Sequence, residues 1–265
     1  AEKFMHIKAA TSGKAPDCVV MNVTIRSMKL HGGAFGSRGG YRPSKEELES
    51  ENVEAVKAGA MTNLDRHIKN MAAFGVPVIV SINKFSSDTD QEIAALQDAA
   101  QSSGATSVTI TEVHSKGGEG GEDLAKAVVK SVQDHVAAGR PFTPLFLNEA
   151  PILDKIEAIA TRMYKAKDVY LEAKAKKQLE QISSWGYGNL PVCMAKTQYS
   201  FSHDASKLGA PSGFTLPVRE FRLNAGAGFI VAVLGNMMTM PGLPVRPAAM
   251  DMDMDDDGQQ TGVFG

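Results

Sequence analysis

Cysteine is scarce: two residues in 265, Cys18 and Cys193, each with apolar neighbours. That pattern predicts buried thiols in a reducing compartment and excludes a cysteine-built zinc or disulfide scaffold. A surplus of either charge is also missing, because 28 basic and 30 acidic side chains leave a net charge of −2. Nucleic acid and anionic membranes would therefore find no electrostatic footprint, and the expected ligand is small. Long apolar runs are lacking too. The longest, Gly228 to Val233, continues through Gly235 and Asn236 and stops at Pro241, far short of the roughly 20 residues that span a bilayer. No basic-then-apolar signal pattern opens the chain. These absences predict a cytoplasmic protein with no nucleic-acid partner and no membrane partner. The opening Ala1-Glu2-Lys3-Phe4 reads like the middle of a domain, so a fragment is expected.

What is present is ordinary globular composition, 43% hydrophobic and 22% charged, enough for one large core or two unequal ones. Three β-branched runs, Cys18 to Ile25, Val76 to Ile82 and Ser107 to Val113, read as buried strands. Between the first two, Leu48, Val53, Val56, Met61, Leu64, Ile68 and Met71 recur at helical spacing from Ser44 to Phe74, with a break at Gly59. Asp88-Thr89-Asp90 caps a helix over Gln91 to Ser103, stopped by Gly104, and Gly121-Glu122-Asp123 opens a third. Strands alternating with crossover helices predict a parallel sheet covered on both faces. Beyond Pro141 come helices at Pro151 to Tyr164 and Glu172 to Trp185. Candidate strands follow at Leu190 to Ala195, Phe214 to Arg222, Gly228 to Leu234 and Met250 to Met254. The fold class is thus α/β, followed by a smaller α+β domain, with the division placed at 1–145 and 146–265. The glycine-rich patch Gly36 to Arg42 reads as a mobile loop.

In an open parallel sheet, ligands collect beyond the carboxyl ends of the strands. That rule selects three loops: Arg26 to Gly33, Asn83 to Thr89, and His114 to Gly121. All three set polar or cationic residues beside glycines or an aromatic, which suits an anionic, partly flat ligand. Asn83-Lys84 resembles the start of a base-reading Asn-Lys-x-Asp, but Ser86 stands fourth, and a capping role fits as well. Phe85, directly after a buried strand, is either a stacking surface or a local staple. The backbone amides of Gly117, Gly118, Gly120 and Gly121 could face an anion, or the segment could be a flexible turn. His31 is either a substrate contact or a strand cap.

Other chemistries are excluded by pattern. No Gly-x4-Gly-Lys-Ser/Thr cradle and no Gly-x-Gly-x-x-Gly fingerprint occurs. A calcium loop starting at Asp253 would need Glu at its twelfth position, where Phe264 stands. No histidine pair has metal-ligand spacing and no Gly-x-Ser-x-Gly elbow appears, so no metal site is expected; His67 and His135 read as surface residues.

Several long strings carry a resemblance that spans essentially the whole chain. They are Lys29-Leu30-His31-Gly32-Gly33, Phe74 to Phe85 with Asp88-Thr89, Lys116-Gly117-Gly118-Glu119-Gly120-Gly121, Tyr187 to Ser202, Asn224 to Phe229, and Met238 to Pro244. Together they resemble formate tetrahydrofolate ligase, also called 10-formyltetrahydrofolate synthetase. The resemblance implies ATP, with magnesium, and tetrahydrofolate as substrates. Formate attacks the γ-phosphate to give formyl phosphate, whose carbonyl is attacked by N10 of tetrahydrofolate, expelling phosphate. It also implies a P-loop-type α/β domain and a homotetramer. In the family the folate ring lies between a Phe and a Trp; the first maps onto Phe85, the second onto His114, where an imidazole replaces the indole. Lys84, Asp88, His31 and the Gly117 to Gly121 loop are expected nearby. The family's phosphate cradle belongs to an amino-terminal half that this chain lacks, so the fold is expected to be incomplete and the chain inactive alone. Its expected contribution is the folate-side wall. A non-catalytic truncated or split-gene subunit, binding folate or pairing with a separate P-loop partner, is the rival reading.

Overall fold

The computed structural model describes residues 1–36, 43–235, 245–258 and 260–261. Most of the Gly36 to Arg42 patch, the Met238 to Pro244 string and Phe264 lie outside the described residues.

The three β-branched runs form one sheet, with β1 (Val19–Val23), β2 (Val78–Asn83) and β3 (Ser107–Thr111) in the order β1-β2-β3. Both pairings are parallel, β1 registering Val23 with Ile82 and β2 registering Asn83 with Thr111. Hydrophobicity sets this arrangement: Val78, Ile79, Val80 and Ile82 are almost wholly buried, as a central strand covered on both faces requires. β1 departs from the expectation, because its alternate residues Val20 and Asn22 are exposed.

The periodic stretch after β1 divides into helices Lys45–Glu49, Val53–Gly59 and Asp65–Ala72, the last two joined by a wider π-type turn at Ala60–Leu64. Gly59 does not break the path. It permits a crossing: a Cβ there would lie 2.1 Å from the Met28 carbonyl oxygen, and one on Gly32 would lie 1.8 Å from that of Ala55. The Ile25–His31 helix therefore approaches Val53–Gly59 backbone to backbone. Ile25, Val56, Ile68 and Phe74 fill the core beneath. The next helix, Asp90–Ser102, is capped by Thr89 in a reciprocal box with Glu92 and ends before Gly104 at φ 96°. Glu122–Ala137 follows β3 as expected.

Farther along, Ile152–Ala158 runs into a second π-type turn, Ile159–Met163, and Ala173–Ser184 forms a separate helix. Between them lies a strand the sequence reading missed, β4 (Asp168–Leu171); it pairs in parallel with β6 (Thr215–Val218). β4 is short and leaves Tyr170 55% exposed, so it carries little apolar signal. The Phe214 to Arg222 run is two strands, β6 and β7 (Glu220–Asn224), parted at Arg219. β8 (Phe229–Val233) pairs parallel with β5 (Val192–Ala195) and antiparallel with β7. Residues 236–265 form a second unit, in which β9 (Asp253–Met254) pairs antiparallel with β10 (Gln260–Thr261), so the expected Met250 to Met254 strand shrinks to two residues.

Two further expectations need correction. His135 is buried, 6% exposed, because Ser131 and His135 one turn apart bring polar residues into a recess with Pro77 and Thr106. Cys18 and Cys193 are half-buried rather than buried, unpaired, and burial pushes both thiols up in pKa.

Candidate functional site

Parallel pairing brings the segments after β2 and β3 out at one sheet edge, whereas Arg26 to Gly33, expected as a loop, is mostly the Ile25–His31 helix, capped by Thr24 with Ser27, and only its start lies at that edge. From the Asn83–Thr111 register pair the backbone stays joined one residue further, the Lys84 amide donating to the Thr111 carbonyl at 3.0 Å. Phe85 leaves β2 immediately beyond. It is 36% exposed, and the Arg26 guanidinium lies over its ring, 4.3 Å from the centroid. Arg26 stands at the start of the helix that follows β1, reaches Ser87 Oγ at 3.5 Å, and has a buried Nε with no partner. The ring thus lies at the carboxyl edge of the sheet with a cation over it.

Asp88 shapes the loop. Its Oδ2 accepts the Phe85 amide at 2.8 Å while its own amide donates to the Phe85 carbonyl at 3.1 Å. Burial raises its pKa, with Glu92 adding to the rise, while the Phe85 amide, Arg26 and Lys29 oppose it. Behind this loop Lys29 Nζ meets Glu92 Oε1 at 2.7 Å, with both side chains almost completely buried. The ammonium also donates to the Leu48 and Ser50 carbonyls, and Glu92 accepts the Asn52 and Thr89 amides. Every pole of the pair is therefore shared with backbone from a different segment.

His114 sits on the one-turn helix Val113–Lys116 and is exposed. Glu112 and Lys116 pair at 2.6 Å beside it; the hydrogen bond from Lys116 holds the Glu112 carboxyl low, with Lys84 contributing, and raises Lys116 in turn. Gly117 to Gly121 form a 3-10 turn folded back on this segment. Gly120 is required there, because its carbonyl accepts the Glu112 amide at 3.0 Å and an added Cβ would lie 2.5 Å from the Glu112 carbonyl oxygen. Gly118 has open space around it. Phe85, Lys84, Asp88, His114 and the glycine turn thus share one edge of the sheet, leaving from neighbouring strands.

His31 goes elsewhere. At the far end of the Ile25–His31 helix its Nδ1 accepts the Gly209 amide at 3.3 Å, and it lines a cavity of about 340 Å³ whose wall includes neither Phe85 nor His114. That cavity holds residues the sequence reading passed over, among them Asn63, Asn70, Tyr164 and Lys196. It also holds His67, which remains exposed to solvent within the concavity as the surface reading expected. One signal was available: Asn63, His67 and Asn70 recur at helical spacing beside the apolar stripe.

The model of one protein family, described as formate–tetrahydrofolate ligase, matches residues 1–264. The chain belongs to that family. Formate–tetrahydrofolate ligase membership makes ATP-dependent joining of formate to tetrahydrofolate the chemistry against which the sheet edge is to be read. No helix among the described residues is long and apolar enough to cross a membrane. Nor do three His, Cys, Asp or Glu side chains converge among them to hold a metal ion. With no Walker-type cradle in the sequence, the residues described do not by themselves fit a magnesium–nucleotide site.

Proposed function

We propose that this chain supplies the folate-side wall of a formate–tetrahydrofolate ligase, in a reaction where formyl phosphate delivers its formyl group to N10 of tetrahydrofolate. Residues 1–145 are read as the carboxy-terminal part of the P-loop-type nucleotide and folate domain, and 146–265 as a smaller domain beside it. One observation carries the reading: Phe85 stands exposed at the carboxyl edge of a parallel sheet with Arg26 on its ring. Burial of an aromatic normally removes it from water; here Asp88 fixes the backbone on either side of Phe85 and leaves the ring at the surface. A pterin can stack on the uncovered face, with His114 from the neighbouring strand end as the opposite wall. Lys84 and the half-exposed polar rim orient the ligand, and the amides of Gly117, Gly118, Gly120 and Gly121 face its anionic side. The chain's own part in the reaction is to position the acceptor ring and exclude water from it.

The test is calorimetric titration of tetrahydrofolate into the chain and its variants. Phe85→Ala should weaken binding about tenfold, a stacking contribution of about 1.4 kcal/mol. His114→Ala should weaken it less, and His114→Trp should tighten it by enlarging the stacked area. Equal affinity in Phe85→Ala would remove the folate reading. Absence of any heat from the unmodified chain would remove both it and the rival of a folate-binding, non-catalytic subunit.

A further inference from the structure

The cavity that takes His31 is built from polar groups that the folate edge does not use. The Asp65–Ala72 helix and the π-type turn before it present Asn63, His67 and Asn70 to it. Asn63 and Asn70 are anchored, their Nδ2 groups donating to the Gly209 and Met163 carbonyls at 3.2 and 3.1 Å. His67 between them packs against Phe201 with ring centroids 4.6 Å apart and the rings tilted by 42°, and makes no hydrogen bond through its ring nitrogens among the described residues. From the loop after β5, Lys196 Nζ donates to the Thr197 and Ser200 carbonyls and stands 5.0 Å from the Tyr164 ring centroid. Two of its three N–H groups are thereby used and one is free. No carboxylate lies within 4.0 Å of it among the described residues, and Glu2, on the same cavity wall, acts on this half-buried ammonium only from farther off.

The charges around this cavity are unbalanced. Glu2, on the cavity wall with Ala1 and Lys3, is engaged by Tyr164 Oη at 3.0 Å, by Lys3 at 3.4 Å and by the Ala1 ammonium at 3.6 Å, two cations against its one carboxylate. Arg66 adds a cation nearby, its guanidinium 5.5 Å from the Phe201 centroid. Because His31 Nδ1 is occupied as an acceptor, the neutral ring carries its proton on Nε2 as a donor. We propose that this cavity is a small-oxyanion site, in which Lys196, His67 and His31 Nε2–H hold a carboxylate or phosphate group. Desolvation by the cavity wall pushes His67 down to about 4 although part of its side chain still meets solvent, with His31, the Ala1 ammonium, Lys196 and Arg66 adding to the fall. Desolvation likewise lowers Lys196 to about 8, opposed by Glu2. An oxyanion reverses the penalty on each group, so binding draws a proton onto His67.

The site is independent of the folate reading, since neither Phe85 nor His114 lines it. The experiment is a titration of the full chain with sodium formate and, separately, inorganic phosphate, at ionic strength held constant with chloride. The His67 ring resonances, assigned through His67→Asn, are followed by NMR. Either oxyanion should move them and raise their titration midpoint; a response to phosphate alone assigns a phosphate group, and one to formate alone a carboxylate. Lys196→Gln should weaken binding about tenfold or more, as loss of a charge-assisted hydrogen bond implies. Because that variant also frees the Thr197 and Ser200 carbonyls, His67→Asn is the second arm: it should abolish the strengthening of formate binding toward lower pH while leaving the loop intact. Unmoved His67 resonances with both anions overturn the proposal. So does formate binding with the same affinity in Lys196→Gln, or with the same pH dependence in His67→Asn.

Discussion

Removing one member of the buried Lys29–Glu92 pair tests the framework that holds the folate loop. The two charged groups meet at 2.7 Å and are 1% and 0% exposed, so neither is relieved by water when the other is lost. Lys29→Met leaves a buried carboxylate unpaired and strips the Leu48 and Ser50 carbonyls of a donor. Breaking such a pair costs about 3–5 kcal/mol, and Glu92→Leu belongs to the same range because the Asn52 and Thr89 amides lose their acceptor. The double variant Lys29→Met/Glu92→Leu removes both charges together, so no uncompensated ion remains. It still leaves the Leu48, Ser50, Asn52 and Thr89 backbone groups without these partners, so it stays less stable than the wild type, but its loss should fall short of the sum of the single losses because no charge is left buried alone. Urea unfolding of the four proteins, followed by circular dichroism, gives the cycle directly. Single losses under about 1 kcal/mol, or a double loss equal to the plain sum, would refute the claim that this pair ties the Ile25–His31 helix to the Asp90–Ser102 helix.

Within the glycine turn, Gly120→Ala forces a Cβ to 2.5 Å from the Glu112 carbonyl oxygen and should cost about 1–3 kcal/mol. Gly118→Ala meets nothing within 4 Å and should be close to neutral; thermal melts of the two decide it, and equal losses would contradict the close-approach argument. His6 is 3% exposed, stacks at 4.0 Å on Phe146, and is lowered from 6.5 to about 4, chiefly by burial. A base held below its unfolded value is neutral in the fold, so its contribution is fully present above pH 6.5 and disappears as pH falls toward 4. That amounts to about 3 kcal/mol. His6→Phe keeps the stack and should flatten the decline of stability between pH 7 and 4.5, measured by urea midpoints; an unchanged decline would show that His6 does not titrate in the folded core. The folate affinities of Phe85→Ala and His114→Trp, and the formate and phosphate titrations of the cavity, complete the set.

The local grammar of the chain was enough to determine the first sheet and its helices. β-branched runs long enough for one buried strand each, and caps such as Thr89 with Glu92, act over a few residues and need no partner to be recognised. The direction of pairing followed from the crossover helices, and with it the edge where Phe85 and His114 stand. Tertiary structure alone decided the rest. Gly59 looked like a helix break because sequence cannot show that the Met28 carbonyl would clash with a side chain there. His135 looked solvated because polarity predicts exposure unless another element covers it. Arg26 came to lie on Phe85, and His31 was carried away from Phe85 into a cavity with Lys196, because contacts between residues distant in the chain depend on how helices dock. Short-range hydrogen bonding and hydrophobic period are written residue by residue. The environment of a charge is a property of everything packed around it.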